Sequence, residues 1–372
     1  VSRGWDLAGT CFRLPLADIN ATSIGMRFVL LALCIGVCCT CGHAFATGEE
    51  SAPRHPEGVS RARVVIAEDR DAVNAFNPRP ERVDALFNLG LLAFTGKPNR
   101  EAAWKSLVST QDIVGIKVLS GPGANSGTRP AVVAALVKGL LAAGQPPRHI
   151  LIWDRHLSDL RRAGFVDLAA QLGVEAVGSA EEGYDEGVVY AAALLGKLVW
   201  GDLDFGKNTE TAGRNSYVSR LITRKLTKII NVTPLLNHNL AGVSGNLYTL
   251  SLDSIDNWLR FEGSPEHLSQ AVPEIYALEA LGDKVILSIV DALVCQYQGE
   301  ELSHLNYSTV LGQIRFSRDP VALDILSIAE IQSQRARKNI EAPPSNMNIY
   351  SNAALLQLGV NKTNLIDILR IQ

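Results

Sequence analysis

The chain of 372 residues is 47% apolar and 20% charged, enough to bury a sizeable core and too apolar for a disordered segment. Its formal net charge of −3 comes from interspersed signs, which argues against nucleic acid or a membrane surface as partner. Five of the six cysteines (Cys11, Cys34, Cys38, Cys39 and Cys41) precede residue 47, leaving Cys295 alone. The remainder can form neither an internal disulfide nor a cysteine-ligated iron–sulfur cluster.

Met26-Arg27, the mostly apolar run Phe28 to Cys41 and the triplet Ala44-Phe45-Ala46 read as a secretory signal peptide over residues 26–46. It has a positive start, an apolar stretch short for a bilayer, and small residues at the −3 and −1 positions. The expectation is cleavage after Ala46 and an exported chain, periplasmic or extracellular, with no stable transmembrane span. An uncleaved anchor and lipid attachment at Cys34 or Cys41 are the competing readings. Residues 1–25 read as a mis-called upstream extension, and 47–61, polar and proline-containing, as a tether before an α/β domain over 62–372.

From there strands alternate with helices. Arg63 to Ala67 is a β-branched strand, and Glu81 to Phe94 repeats apolar residues at helical spacing between Pro80 and Gly96. Strands are predicted at 113–119, 150–153 and 174–177, with helices at 129–143 and 157–172. Glycine-rich residues 183–212 suit a surface excursion or β-hairpin. Beyond them come a helix at 216–226, with Arg220, Arg224 and Lys228 on a solvated face, and a strand at 228–232. A partly helical stretch at 241–260, a helix at 266–281, strands at 284–290 and 312–316 and a helix at 320–334 complete the pattern. It predicts an α/β fold, a mostly parallel sheet covered by helices on both faces, as one large domain or two closely packed lobes. In such sheets ligands sit at the carboxyl ends of strands.

Four groups of residues could carry chemistry there. Lys117 precedes the loop Ser120 to Thr128, whose Asn125, Ser126 and Thr128 run into a helix with Thr128 as N-cap, a turn suited to an anion. Asp154-Arg155-His156 follows a buried strand; the alternative is that Asp154 caps the next helix and Arg155 pairs with a carboxylate. Asn231 and His238 flank a polar loop, His238 serving as general base, metal ligand or structural histidine. Asp291, Asp319 and Asp324 complete the set. Asp319 is explained by N-capping before Pro320 alone, and Asp324 is either an exposed helix edge or a buried, partnered acid.

The segments Val114-Gly-Ile-Lys117, Ile152-Trp-Asp-Arg155 with Arg162-Ala-Gly-Phe165, Ile230-Asn-Val232 through His238-Asn-Leu-Ala-Gly242, Val290-Asp-Ala292 and Asp319-Pro-Val-Ala-Leu-Asp324 stand in the order of the domain of unknown function 362 family. The resemblance spans residues 112–335 and implies α/β architecture without a settled activity. Some members carry ferredoxin-type clusters, which the cysteine count excludes here. A more distant analogy is to the nickel-pincer lactate racemase group. The chain departs from the family pattern in having Leu119 where Asn is common, Leu236-Asn237-His238 for Lys-Asp-His, and Tyr248-Thr249 for Lys-Asn. Three readings follow. The first is a cleft holding a small anionic or metal-chelated ligand, with a divalent metal as the candidate cofactor, Lys117, His238 and Asp319 as catalytic candidates, and Lys117 stabilising developing negative charge. The second is a non-catalytic assembly subunit with a cell-envelope protein partner. The third is a metal-dependent racemase or epimerase.

Overall fold

The computed structural model describes residues 61–194, 213–341 and 344–372. The expected extension, leader and nearly all of the tether lie outside the described residues, as does 195–212 of the glycine-rich excursion. All described elements belong to one unit, Pro56–Gln372.

In chain order they are β1 (Ala62–Glu68), the two-residue strands β2 (Val73–Asn74) and β3 (Asn77–Pro78), α1 (Pro80–Thr95), α2 (Arg100–Lys105), β4 (Val114–Val118), α3 (Gly123–Ser126), α4 (Pro130–Ala142), β5 (Ile150–Asp154), α5 (Leu157–Arg162), α6 (Phe165–Leu172) and β6 (Glu175–Gly178). Then follow β7 (Tyr184–Ala191), β8 (Asn215–Ser219), β9 (Lys228–His238), β10 (Gly242–Val243), α7 (Asn246–Asp253), α8 (Pro265–Tyr276), β11 (Val285–Gln296), β12 (Ser308–Ser317), α9 (Pro320–Arg337), α10 (Asn348–Leu355) and β13 (Ile366–Ile371).

The main sheet runs β13-β1-β12-β11-β9-β4-β5-β6, with β10 folded back on β9. Every neighbouring pair along that path is parallel except the two that involve β12. Helices cover both faces, as the alternation requires. Val65, Ile116, Ile152, Ile230, Ile289 and Phe316 point into a core with α1, α4 and α6, while Val64, Trp153, Ile229 and Val290 point into a second core with α7 to α10. β4 and β5 are buried at every position, the signature of strands packed on two sides. α1 starts on Pro80 at N1 and stops at Gly96, whose φ of 67° lets its N–H reach the Leu92 carbonyl.

Close packing between the layers has a measurable consequence. Gly90 in α1 lies against the Phe316 ring so tightly that a Cβ there would sit 2.2 Å from a ring carbon. Alanine gains about 1 kcal/mol in helix propensity, but forcing the ring aside costs about 1–3 kcal/mol. Gly90→Ala is therefore expected to lower stability by up to about 2 kcal/mol; a raised urea midpoint would show that the ring yields freely.

Several elements differ from the sequence reading. The helix expected at 216–226 is β8, paired with β7 in a separate two-stranded sheet, followed by one π-type turn at Leu221–Lys225. A partner contributed from residues 184–191 overrides the local helical spacing. Arg224 pairs with Asp185 and Lys228 opens β9, so the expected solvated helix face does not exist. β9 continues past Val232 through Pro234, because its register against β11 shifts after the Pro234–Asp291 pair and the missing N–H falls beside that irregularity. The helix expected at 157–172 breaks at Gly164, φ 86°, into α5 and α6. The edge strand β13, mostly exposed, and α10 lacked a sequence signal.

Candidate functional site

β4 and β5 end side by side, and Lys117 and Asp154 stand on those ends. Lys117 is opposite Trp153 on β5 and Asn231 on β9, facing the layer that holds α7. Its ammonium is 0% exposed and donates to Asp154 Oδ1 at 2.8 Å and to the Val118 carbonyl at 2.5 Å; Asp253 Oδ2, at the end of α7, is also 2.8 Å away. Three acceptors satisfy its three donors. Burial opposes this charge, but Asp154 and Asp253 outweigh it and hold the lysine above its ordinary pKa. Asp154, also buried, is held below the usual carboxylate range by Lys117 and by Ser120, whose N–H and hydroxyl both donate to Oδ2. Arg155 then pairs with Asp253 Oδ1 at 3.2 Å, donates to the Ile255 and Leu252 carbonyls, and lies 4.3 Å from the centre of the Trp258 ring. The result is an alternating chain, Asp154–Lys117–Asp253–Arg155, in which both cations are already paired.

The chain of charges borders a cavity of about 140 Å³ lined by Asp154, Arg155, Tyr248, Asp253, Trp258 and Glu301 among others. Tyr248, Trp258 and Glu301 also line an adjoining cavity of about 370 Å³ with His238, Glu262 and Glu300. Three glutamates thus gather beside Lys117 and Arg155, whose charges are already paired. Burial and the proximity of Asp253, Asp154 and Glu262 push the Glu301 carboxyl up to about 7. Burial likewise raises Glu262, against the hydrogen bond that Tyr248 Oη donates to its Oε1 at 2.7 Å. His238 accepts the Leu240 and Ala241 N–H groups at Nδ1, so its proton sits on Nε2 and points 3.0 Å to Tyr248 Oη. Burial drives its pKa down to about 4, which keeps it neutral. Both of its nitrogens are engaged, an arrangement for holding Tyr248 rather than for taking a proton.

The remaining expected residues divide between supports and bystanders. Asn231 is buried beneath the cleft and donates to the Asn246 carbonyl at the start of α7. Asp324 reaches the same helix from α9, accepting from the N–H groups of Asn246 and Leu247 at 2.7 and 3.0 Å. It is the buried, partnered acid of the two alternatives. The anion expected at the start of α4 is supplied by the protein itself: Asp291 Oδ2 accepts the Arg129 N–H at 2.9 Å and pairs with its guanidinium. Thr128 is not the N-cap; its hydroxyl donates to the Val232 carbonyl, and Arg129 occupies the cap position. Asn125 is exposed, with its carbonyl taken by Arg129. Ser126 donates to Gln296, whose amide holds the carbonyls of Glu300 and Leu302, so it steadies the loop that carries Glu301. Asp319 caps α9 and accepts from Val360 on the far flank of the sheet, beyond β12, and takes no part in the cleft.

Asp253, Trp258, Glu262, Glu300 and Glu301 were missed by sequence reasoning. The signal for Glu300 and Glu301 was the carboxyl-end rule itself, but β11 extends to Gln296, six residues past its expected end. Among the described residues, no group of three or more His, Cys, Asp or Glu side chains is placed to hold a metal ion, and no helix is long and apolar enough to cross a membrane.

A mostly parallel sheet with its charged cavity outside the carboxyl ends of β4 and β5 defines an α/β protein of the open-sheet class. The chain belongs to the family described as Domain of unknown function (DUF362), which it matches over residues 114–329. No curated protein matches it. Among solved structures it is similar to a Thermotoga maritima protein from structural-genomics crystallography, at 12% identity and a TM-score of 0.38 over 70% of this chain. The match covers 59% of that protein, so this chain spans less than two thirds of its length.

Proposed function

We propose that this protein is an exported member of its family that binds a small, positively charged or metal-chelated ligand in the cleft between Trp258 and Glu301. The carrying observation is the charge balance: Lys117 and Arg155 are paired within the Asp154–Asp253 chain, leaving Glu262, Glu300 and Glu301 to set the local potential. A free anion, one of the two ligand types expected from sequence, would meet repulsion here. Tyr248, which stands where the resembled family pattern has lysine, lines both cavities and adds no cation to balance the carboxylates. A metal ion entering this cleft would bring ligands of its own.

Glu301 takes the proton-handling role that sequence reasoning gave to His238, because a carboxyl poised near pH 7 before binding gives up its proton as a cation enters the cleft. The sign of its pH dependence is fixed. A cation favours the ionised carboxylate, so binding releases a proton below pH 7, and affinity rises by up to about tenfold per pH unit between 5 and 7 before levelling above 8. Calorimetric titration of the full chain with a cationic metal chelate, Ni²⁺-ethylenediamine, and with a diamine, at a series of pH values, reads this directly. Glu301→Gln is expected to flatten the profile and weaken binding by about tenfold. Equal affinity for free citrate, or a wild-type profile without slope, would overturn the assignment.

A further inference from the structure

At the other end of the molecule from Asp154, where β1 begins and β12 ends, lies a cavity of about 560 Å³, a size typical of small-molecule sites. Its charged lining is the reverse of the cleft's. Arg61, Arg63, Lys97 and Arg318 border it, against the single carboxylate of Asp319. That carboxylate already accepts the N–H groups of Ala322 and Val360, and burial raises its pKa, which further weakens it as a counter-charge. Arg61 pairs with Asp367. Arg63 donates one guanidinium nitrogen to the Ala93 carbonyl, and among the described residues neither Lys97 nor Arg318 has an acidic partner. The same cavity has an apolar side formed by Phe94, Leu107 and Leu358.

We propose that this cavity binds a phosphate monoester with an apolar body, its phosphate among Arg63, Lys97 and Arg318 and its apolar part on Phe94, Leu107 and Leu358. A phosphate monoester carries nearly two negative charges at neutral pH and accepts several hydrogen bonds at once, matching three cations on separate elements. An aryl or alkyl group supplies the area the apolar side can bury. Of the residues in the sequence motifs, Asp319 alone borders this cavity, and the inference stands independently of the cleft. The same chemistry is offered by a soluble ester and by the monoester headgroup of phosphatidic acid.

Titrate the full chain with phenyl phosphate and with inorganic phosphate at low ionic strength, and in parallel measure its sedimentation with phosphatidylcholine vesicles with and without phosphatidic acid. The expected result is phenyl phosphate binding at least tenfold tighter than inorganic phosphate, weakened by salt, and reduced at least tenfold in the Lys97→Glu/Arg318→Glu variant. Both substituted side chains are exposed, so the variant folds; its unchanged urea midpoint is the check. Glu301→Gln should leave this binding intact. Phenyl phosphate binding without sedimentation supports a soluble ligand, and sedimentation only with vesicles containing phosphatidic acid supports a headgroup. No binding to either, or equal binding by wild type and double variant, would overturn the proposal.

Discussion

Asp154→Ala is expected to lower the stability of the fold by about 3–5 kcal/mol, the range for breaking a buried ion pair by removing one partner. Lys117 has no route to water: it is fully buried between β5 and α7, and its remaining carboxylate, Asp253, is shared with Arg155. The Ser120 N–H and hydroxyl lose their acceptor in the same step. Urea denaturation measures the loss. The double variant Lys117→Met/Asp154→Leu should recover a large part of it, since removing both charges leaves no buried ammonium to solvate. A cost below about 1 kcal/mol for the single substitution would mean that the lysine is less enclosed than its geometry indicates.

Asp324→Ala is expected to cost about 3 kcal/mol and to loosen α7 selectively. The carboxylate accepts two backbone N–H groups and the Asn246 side-chain amide, all buried, and each orphaned donor costs about 1–3 kcal/mol, with local relaxation reducing the sum. Gly245 fits beneath it only because it lacks a Cβ, which would stand 2.4 Å from Oδ1, so no larger side chain can approach to replace the cap. Amide exchange over Leu247–Asp253 should accelerate more than exchange in β4 or β5; uniform acceleration would reduce Asp324 to a generic core residue. Burial raises its pKa to about 6 from 3.8. Its own titration therefore favours the fold most below pH 3.8 and progressively less as pH rises through 6, and this dependence should vanish in the variant.

The sheet and its helices were legible because parallel strands buried on two faces leave continuous apolar runs such as Ile150–Trp153, and because Pro80, Gly96 and Asp319-Pro320 mark helix ends by their backbone chemistry. β8 was illegible because its conformation depends on β7, a long-range pairing that overrides a weak local period. Half of the site followed from the carboxyl-end rule: Lys117, Asp154 and Arg155 do meet. The other half depended on which loops arch over the strands. Asp253 and Trp258 come from the far end of α7 and the turn after it, and Glu301 from a loop set by the length of β11, so no local motif announced them. Asp291 and Asp319 show the converse. An acid beside a strand end or before a proline reads the same in sequence whether it faces a ligand or a helix N-terminus, and here both face helices.

The pairing of β1 with β13 also bears on how the chain reaches this state. β1 is the first strand of the sheet and β13 the last, with Ala62 opposite Ile366, so one flank of the sheet cannot close until almost the whole described chain has been made. Until then, the run Val64 to Ala67, buried in the finished protein, has an unpaired backbone edge open to neighbouring chains. Such distant pairings form slowly because the loop must be closed before the contact rewards it. Biosynthesis thus carries a window of aggregation risk that lasts until the six-residue strand β13 has been made, and a nascent chain stopped short of Ile366 would not leave it.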